Sequence, residues 1–306
     1  MSICLERIFE MKRAVIALNP RASENDSLKN FCEQIKILQE NGLWDEIFVL
    51  SVIHQSYFPY SPDDYDHRRE RILQEVRQSL YRGISDKIDF HDVDVLECHS
   101  SGDEEVVRLM ASWVIKKRSQ VLVLGVDIKH ISSRWSLEGI PVTAAFLSPV
   151  PLLVVNVREP FDFVAEKEPK VLLAVDATAP PSAKALRRLT RLAKPLKAKV
   201  HLVNVTRRKT MPVLTGTKTS EFDRVREVLH DTSVILQNFG VESIMEVVKE
   251  NESVANTIAE YVKKNNIWVA AVTSPVRSIK HRLAFGSTTQ AMLGHLGCPL
   301  LVLRTR

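Results

Sequence analysis

Val121-Leu-Val-Leu-Gly125 followed by Pro151-Leu-Leu-Val-Val155 is answered farther along the chain by Val269-Ala-Ala-Val-Thr273 followed by Pro299-Leu-Leu-Val-Leu303. Both correspondences carry one offset of 148 residues (121 to 269 and 151 to 299), so the C-terminal part of each half is in register. A third pairing sets Lys12-Arg-Ala-Val-Ile-Ala-Leu-Asn19 against Lys170-Val-Leu-Leu-Ala-Val-Asp176, each an apolar run ending in a short polar residue. A duplication decides the fold before any local propensity does, and two copies of one module are the simplest explanation.

Each copy alternates short β-branched runs with longer segments of helical period, the pattern of βαβ units around a parallel sheet. The strand runs are almost continuously apolar, as expected where helices cover both faces. Strands are expected near 13–19, 46–53, 92–97, 120–125 and 151–157, and again near 170–176, 199–205, 242–248, 267–272 and 299–304. Between them Val106, Leu109, Met110, Trp113 and Val114, then Val254, Ile258, Tyr261 and Val262, recur at helical spacing as core faces. The reading is α/β, two tandem doubly wound five-stranded parallel sheets, with domains at 12–157 and 169–306 and a charged linker from Val157 to Pro169.

Composition agrees. The chain has 306 residues, 45% hydrophobic and 26% charged, with 10 Gly and 14 Pro, which excludes disorder, collagen-like repeats and a coiled-coil rod. No run of 18 apolar residues occurs, and Glu6, Arg7 and Glu10 interrupt the first apolar stretch. The expectation is a cytoplasmic protein with neither a membrane span nor a secretory signal. Cys4, Cys32, Cys98 and Cys298 are far apart and the nine His are scattered, so reduced packing cysteines and no metal site are expected. The net charge of +5 divides unevenly: residues 1–158 hold 19 Lys and Arg against 23 Asp and Glu, and residues 159–306 hold 23 against 14. The second half is therefore the one that would attract an acidic partner or ligand.

In an open α/β sheet, ligands bind beyond the carboxyl ends of the strands where the strand order reverses, here after strands one and four of each copy. In the second copy, strand one ends in Asp176, and strand four runs into Thr273-Ser-Pro-Val-Arg277-Ser278 and on to Phe285-Gly286-Ser287-Thr288. Gly286, Ser287 and Thr288 open the last helix, whose free N–H groups and dipole favour an anion such as phosphate. Arg277, Lys280, His281 and Arg282 add positive charge to the same loop.

Asp after strand one, Gly-Ser before the last helix and a final Cys298-Pro-Leu-Leu-Val302 strand resemble the universal stress protein family, and two copies resemble its tandem members. The resemblance runs from about Lys12 to Arg304 and is sharpest from Gly286-Ser287 to Pro299. It implies an adenine nucleotide alpha hydrolase-like fold of strand order 3-2-1-4-5, the two domains pairing through their last strands about a pseudo-twofold axis, and a further homodimer as an option. The family's nucleotide-binding loop has the form Gly, two residues, Gly, nine residues, Gly-Ser/Thr. Counting back from Gly286, its first two glycines fall on Thr273 and Val276, side chains where backbone should approach phosphate closely. By the resemblance, Asp176 serves the adenosine end, Val205 lies beside the base, Arg277 and Ser278 stand in the loop, and Gly286, Ser287 and Thr288 hold the phosphates of ATP or AMP. In the first copy Asn19 replaces the Asp, Gly125 and Ile128 occupy the two glycine positions, and Glu138-Gly139 replaces Gly-Ser. Glu138 would repel a phosphate, so that site is expected to be lost.

The implied function is a non-enzymatic stress-response or regulatory protein with a degenerate adenine-nucleotide site in its second domain. The alternative is an ATP-binding protein or slow ATPase switch using the same domain. Neither a G-x-S-x-G elbow nor a Walker P-loop occurs, and no efficient enzyme is expected. Plainer readings stand beside these. Asp176 would serve only to cap the segment entering Pro180 and Pro181, and Gly286-Ser287 would be a turn and N-cap. Lys184, Arg187, Arg188, Arg191 and Lys194 form a basic stripe at helical spacing, expected to be a solvated face, because no aromatic residues interleave for nucleic acid. Ser100-Ser101-Gly102-Asp103-Glu104-Glu105 fits a capping segment for a helix beginning near Glu104.

Overall fold

The computed structural model describes residues 12–18, 26–54, 65–99, 102–126, 139–157, 168–206, 221–274, 289, 291–292 and 296–304. The chain divides into two compact units, Met1–Pro160 and Phe161–Arg306. The first contains β1 (Arg13–Leu18), α1 (Asp26–Glu40), β2 (Glu46–His54), α2 (Tyr65–Ile84), β3 (Asp92–Cys98), α3 (Asp103–Lys116), β4 (Val121–Val126), α4 (Ile140–Leu147) and β5 (Leu152–Asn156). Its strands are all parallel in the order β3-β2-β1-β4-β5. The second contains β6 (Lys170–Ala174), α5 (Ala183–Ala193), β7 (Lys199–Thr206), α6 (Glu221–Asn238), β8 (Ser243–Lys249), α7 (Val254–Asn265), β9 (Val269–Ser274) and β10 (Leu300–Arg304). Its order, β8-β7-β6-β9-β10, is again parallel and again 3-2-1-4-5.

The central strands are buried on both faces, which is why they read as unbroken apolar runs. Val15 and Ile16 of β1, and Val171, Leu172 and Leu173 of β6, are fully buried. The helices bury one stripe each. In α5 the buried side is Ala185, Leu186, Leu189, Leu192 and Ala193, and in α7 it is Ala255, Ile258, Tyr261 and Val262. Serine hydroxyls open both, Ser182 accepting from the Ala185 N–H at 3.3 Å and Ser253 from the Asn256 N–H at 3.1 Å. The helix of the acidic segment begins at Asp103, with extended Gly102 as its N-cap and no side-chain cap; Ser100 and Ser101 lie outside the described residues.

The strand expected at 267–272 begins two residues later. Ile267 and Trp268 are apolar and buried, but the Ile267 N–H is spent on the Val262 carbonyl, closing α7 after Asn266 turns left-handed at φ +53°. Cys32, Cys98 and Cys298 are buried and in no disulfide, and burial pushes Cys32 and Cys298 up to about 12. Among the described residues no helix is long and apolar enough to cross a membrane, and no group of three His, Cys, Asp or Glu is placed to hold a metal ion.

Candidate functional site

The strand order of the second domain reverses between β6 and β9, so the site is built from the carboxyl ends of β6, β7 and β9. Ala174, the last residue of β6, lies opposite Val203 of β7 and Val272 of β9. The contact with β7 continues past the strand end: the Val175 N–H donates to the Val203 carbonyl at 2.9 Å, and Asn204 Nδ2 donates to the Val175 carbonyl at 2.8 Å. Carried two residues beyond Ala174, these registers set Asp176 level with Val205 on one side and Ser274 on the other.

Asp176 is exposed and holds its own loop. Its Oδ1 accepts from the Thr178 N–H at 2.8 Å and the Thr178 hydroxyl at 2.7 Å, while its carbonyl accepts from the Ala179 N–H at 3.1 Å. The loop then runs through Pro180 and Pro181 to the Ser182 cap, as the plainer reading of Asp176 requires. Only Oδ1 is used in this way. Among the described residues Oδ2 has no hydrogen-bond partner, so the same carboxylate both shapes the loop and keeps one acceptor at the sheet edge. Val205 is half-buried in β7 opposite Val248. Asn204 and Thr178, which set the loop against β7, were not indicated by the sequence pattern; the one signal was an amide, Asn204, between apolar Val203 and Val205.

Thr273, at the first glycine position of the loop motif, lies inside β9 opposite Leu303. Positive φ among described non-glycine residues occurs only at Arg118, Lys197 and Asn266, so Thr273 occupies a backbone conformation that needs no glycine. Arg277, Ser278, Gly286, Ser287 and Thr288, together with Val276, lie outside the described residues. In the first domain Gly125 has a packing reason to be glycine: a Cβ there would stand 2.8 Å from Val157 Cγ1 and 3.2 Å from Phe31 Cδ2. Gly139 is the extended N-cap of α4, and a Cβ there meets only Pro141 Cδ, at 3.6 Å. Asn19, Ile128 and Glu138 lie outside the described residues.

Two other polar clusters lie away from this edge. A cavity of about 560 Å³ in the first domain, lined by Lys36, Arg77, Tyr81, Lys87, Phe90 and His91 among others, sits where the chain enters β3, at the opposite end of the sheet from a switch-point site. Its cations are answered locally, Arg77 by Asp94 and Lys87 by Asp86, both at 3.5 Å. In the second domain, buried His201 Nδ1 lies 2.7 Å from the Tyr261 hydroxyl, which donates to Glu246 Oε1 at 2.6 Å. Burial first, then the Lys170 charge, lowers His201 below its ordinary value of 6.5, against an opposing pull from Glu246. Burial and the Glu246 bond raise Tyr261. His201 is the third residue of β7, near the strand's start, so this chain of hydrogen bonds belongs to the core and not to the sheet edge.

Residues 169–304 match the model of the universal stress protein family, so the second domain is a domain of that family. No curated protein sequence matches the chain. A solved universal stress protein from Archaeoglobus fulgidus DSM 4304 is similar over 95% of this chain and 96% of its own, at 17% identity and a TM-score of 0.58. A structure described as a putative universal stress protein from Pseudomonas aeruginosa UCBPP-PA14 is similar over 97% and 95%, at 13% identity and a TM-score of 0.54. These likenesses show the fold, which spans both halves. A universal stress protein from Archaeoglobus fulgidus solved in complex with dAMP matches 44% of this chain and 97% of its own, at 16% identity and a TM-score of 0.34.

Proposed function

We propose that this is a non-enzymatic binding protein of the tandem universal-stress type, acting in stress response or its regulation, whose second domain receives the adenosine part of an adenine nucleotide. The observation that carries the reading is that Asp176 follows the carboxyl end of β6, where Val175 still bonds to β7, at the switch point of a sheet whose residues match the family model. The described residues fit such a ligand at its adenosine end. Oδ2 of Asp176 offers an anionic acceptor for ribose hydroxyl groups, and half-buried Val205 offers apolar surface to a base. Phosphate would fall to Gly286, Ser287 and Thr288 with Arg277 and Ser278, on the sequence pattern alone.

Binding rather than turnover is supported by the chemistry at this edge. Asp176 already spends one oxygen on Thr178, and neither Val205 nor Thr273 can activate water. Thermal unfolding with millimolar AMP, and with ATP and Mg²⁺, tests the proposal, since a ligand at about 100 times its Kd stabilises the folded state by about 2.7 kcal/mol. Asp176→Asn keeps an oxygen for the Thr178 turn but loses the charge and turns the second acceptor into a donor. The wild type is expected to shift upward and the variant to lose at least nine-tenths of its affinity. No shift in the wild type, or an equal shift in both, overturns the assignment.

A further inference from the structure

Along α5, Lys184, Arg187, Arg191 and Lys194 are all exposed and follow one another at intervals of three, four and three residues. That spacing places them on one face, and at about 1.5 Å of rise per residue the row is roughly 15 Å long. It is firmly mounted, because the opposite face of the helix is buried against the sheet and Ser182 caps its start. The Arg187 guanidinium lies over the Phe239 ring at 5.6 Å from its centroid, which narrows its freedom.

No carboxylate among the described residues answers this row. From Ala177 to Ser220 the sequence holds eleven Lys and Arg and no Asp or Glu. Three exposed cations on helices of the first domain are paired within their own helix, Lys36 with Glu40, Arg71 with Glu75 and Arg108 with Glu104. Lys199, just beyond α5, stands between Glu168 and Glu242 at 3.8 and 3.6 Å. Like charges three and four residues apart repel, so the row costs the free protein stability that an anionic partner would restore.

We infer that the outer face of α5 is a docking surface for an acidic helix of another protein. A second helix lying lengthwise repeats its side chains at the same three- and four-residue intervals, so carboxylates at i, i+3, i+7 and i+10 meet the four cations one for one. A nucleic acid strand is the poorer fit. Among the described residues the ring recorded against this row is Phe239, which is covered by Arg187 and gives bases nothing to stack on.

The test is fluorescence anisotropy with the full chain and a labelled 21-residue helical peptide carrying four Glu at that spacing. Comparisons are a peptide with the same four Glu scattered around the helix, a 20-nucleotide oligouridine and a 20-base-pair DNA. Arg191→Glu with Lys194→Glu is set against Lys263→Glu with Lys264→Glu, which makes the same charge change at exposed positions of α7. Circular dichroism checks that both variants fold. The inference expects the matched peptide to bind best, the α5 pair to weaken it at least tenfold and the α7 pair less than threefold. Equal binding of the scattered peptide, equal losses in the two variants, tighter binding of either nucleic acid, or no binding of the matched peptide at low salt each overturn it.

Discussion

Replacing Tyr261 by Phe removes one oxygen and interrupts a chain of three side chains. The Tyr261 hydroxyl gives its only proton to Glu246, so its oxygen must accept from His201, which fixes the imidazole proton on Nδ1. His201 Nε2 is buried and has no hydrogen-bond partner among the described residues, so in the variant neither ring nitrogen is satisfied in a residue only 4% exposed. An orphaned buried N–H costs about 1–3 kcal/mol, while half-exposed Glu246 regains water, so the expected loss is about 2 kcal/mol. Urea denaturation followed by circular dichroism measures it, with the m-value unchanged. The companion His201→Leu with Tyr261→Phe removes both partners and should recover at least half of the loss, since an apolar replacement leaves nothing unpaired. The pH dependence has a definite sign. His201 in the folded protein titrates below 6.5, so above that pH both states are neutral and the residue adds no slope. As pH falls below 6.5 the unfolded chain takes a proton that the folded chain refuses. Stability then falls by up to about 1.4 kcal/mol per pH unit until the folded value is reached. His201→Leu should remove that part of the slope. A Tyr261→Phe loss below about 0.5 kcal/mol, or a double variant less stable than the single one, would refute the reasoning, because either means that the bridge does not hold the imidazole.

Two further predictions concern backbone and packing. Gly125→Ala places a Cβ 2.8 Å from stiff Val157 and 3.2 Å from buried Phe31, and should lower the stability of the first domain by about 1–3 kcal/mol in chemical unfolding; an unchanged midpoint would show that β4 has room to shift. Arg118 follows the C-cap of α3 at φ +52°, the position glycine favours, so Arg118→Gly should raise the unfolding midpoint by the equivalent of about 0.5–1 kcal/mol.

The strands were legible because burial on both faces writes itself as continuous apolar sequence, as in Val121–Leu124 and Val171–Ala174. The same rule failed at Ile267, an apolar and buried residue whose N–H closes a helix, while Trp268 already donates to the Lys170 carbonyl of β6 just ahead of β9. Asp176 was legible as the polar residue that ends an apolar run at a switch point. Thr178 and Asn204 were not, because their roles depend on which carbonyl or carboxylate the register of β6 on β7 brings beside them, and a short polar side chain carries no record of that. Nothing in the sequence singled out His201 either; its significance lies in a hydroxyl sixty residues away.

The glycine pattern is where sequence and structure weigh the same residues differently. Read as a phosphate loop, Gly125 counts for the first copy and Thr273 against the second. In the folded chain both stand inside the fourth strand of their sheets, Gly125 opposite Val155 and Thr273 opposite Leu303. Gly125 is glycine because Val157 and Phe31 leave no room for a Cβ, which is a demand of packing and no sign of a retained loop. Thr273 is extended like its neighbours, so its side chain imposes no strain that glycine would relieve. The first glycine position therefore separates the copies by local packing, and the residues that bear on a ligand lie on the other side of the switch point. There Asp176, held by Thr178 and by the Asn204 grip on Val175, keeps one carboxylate oxygen without a hydrogen-bond partner among the described residues, just past the carboxyl end of β6.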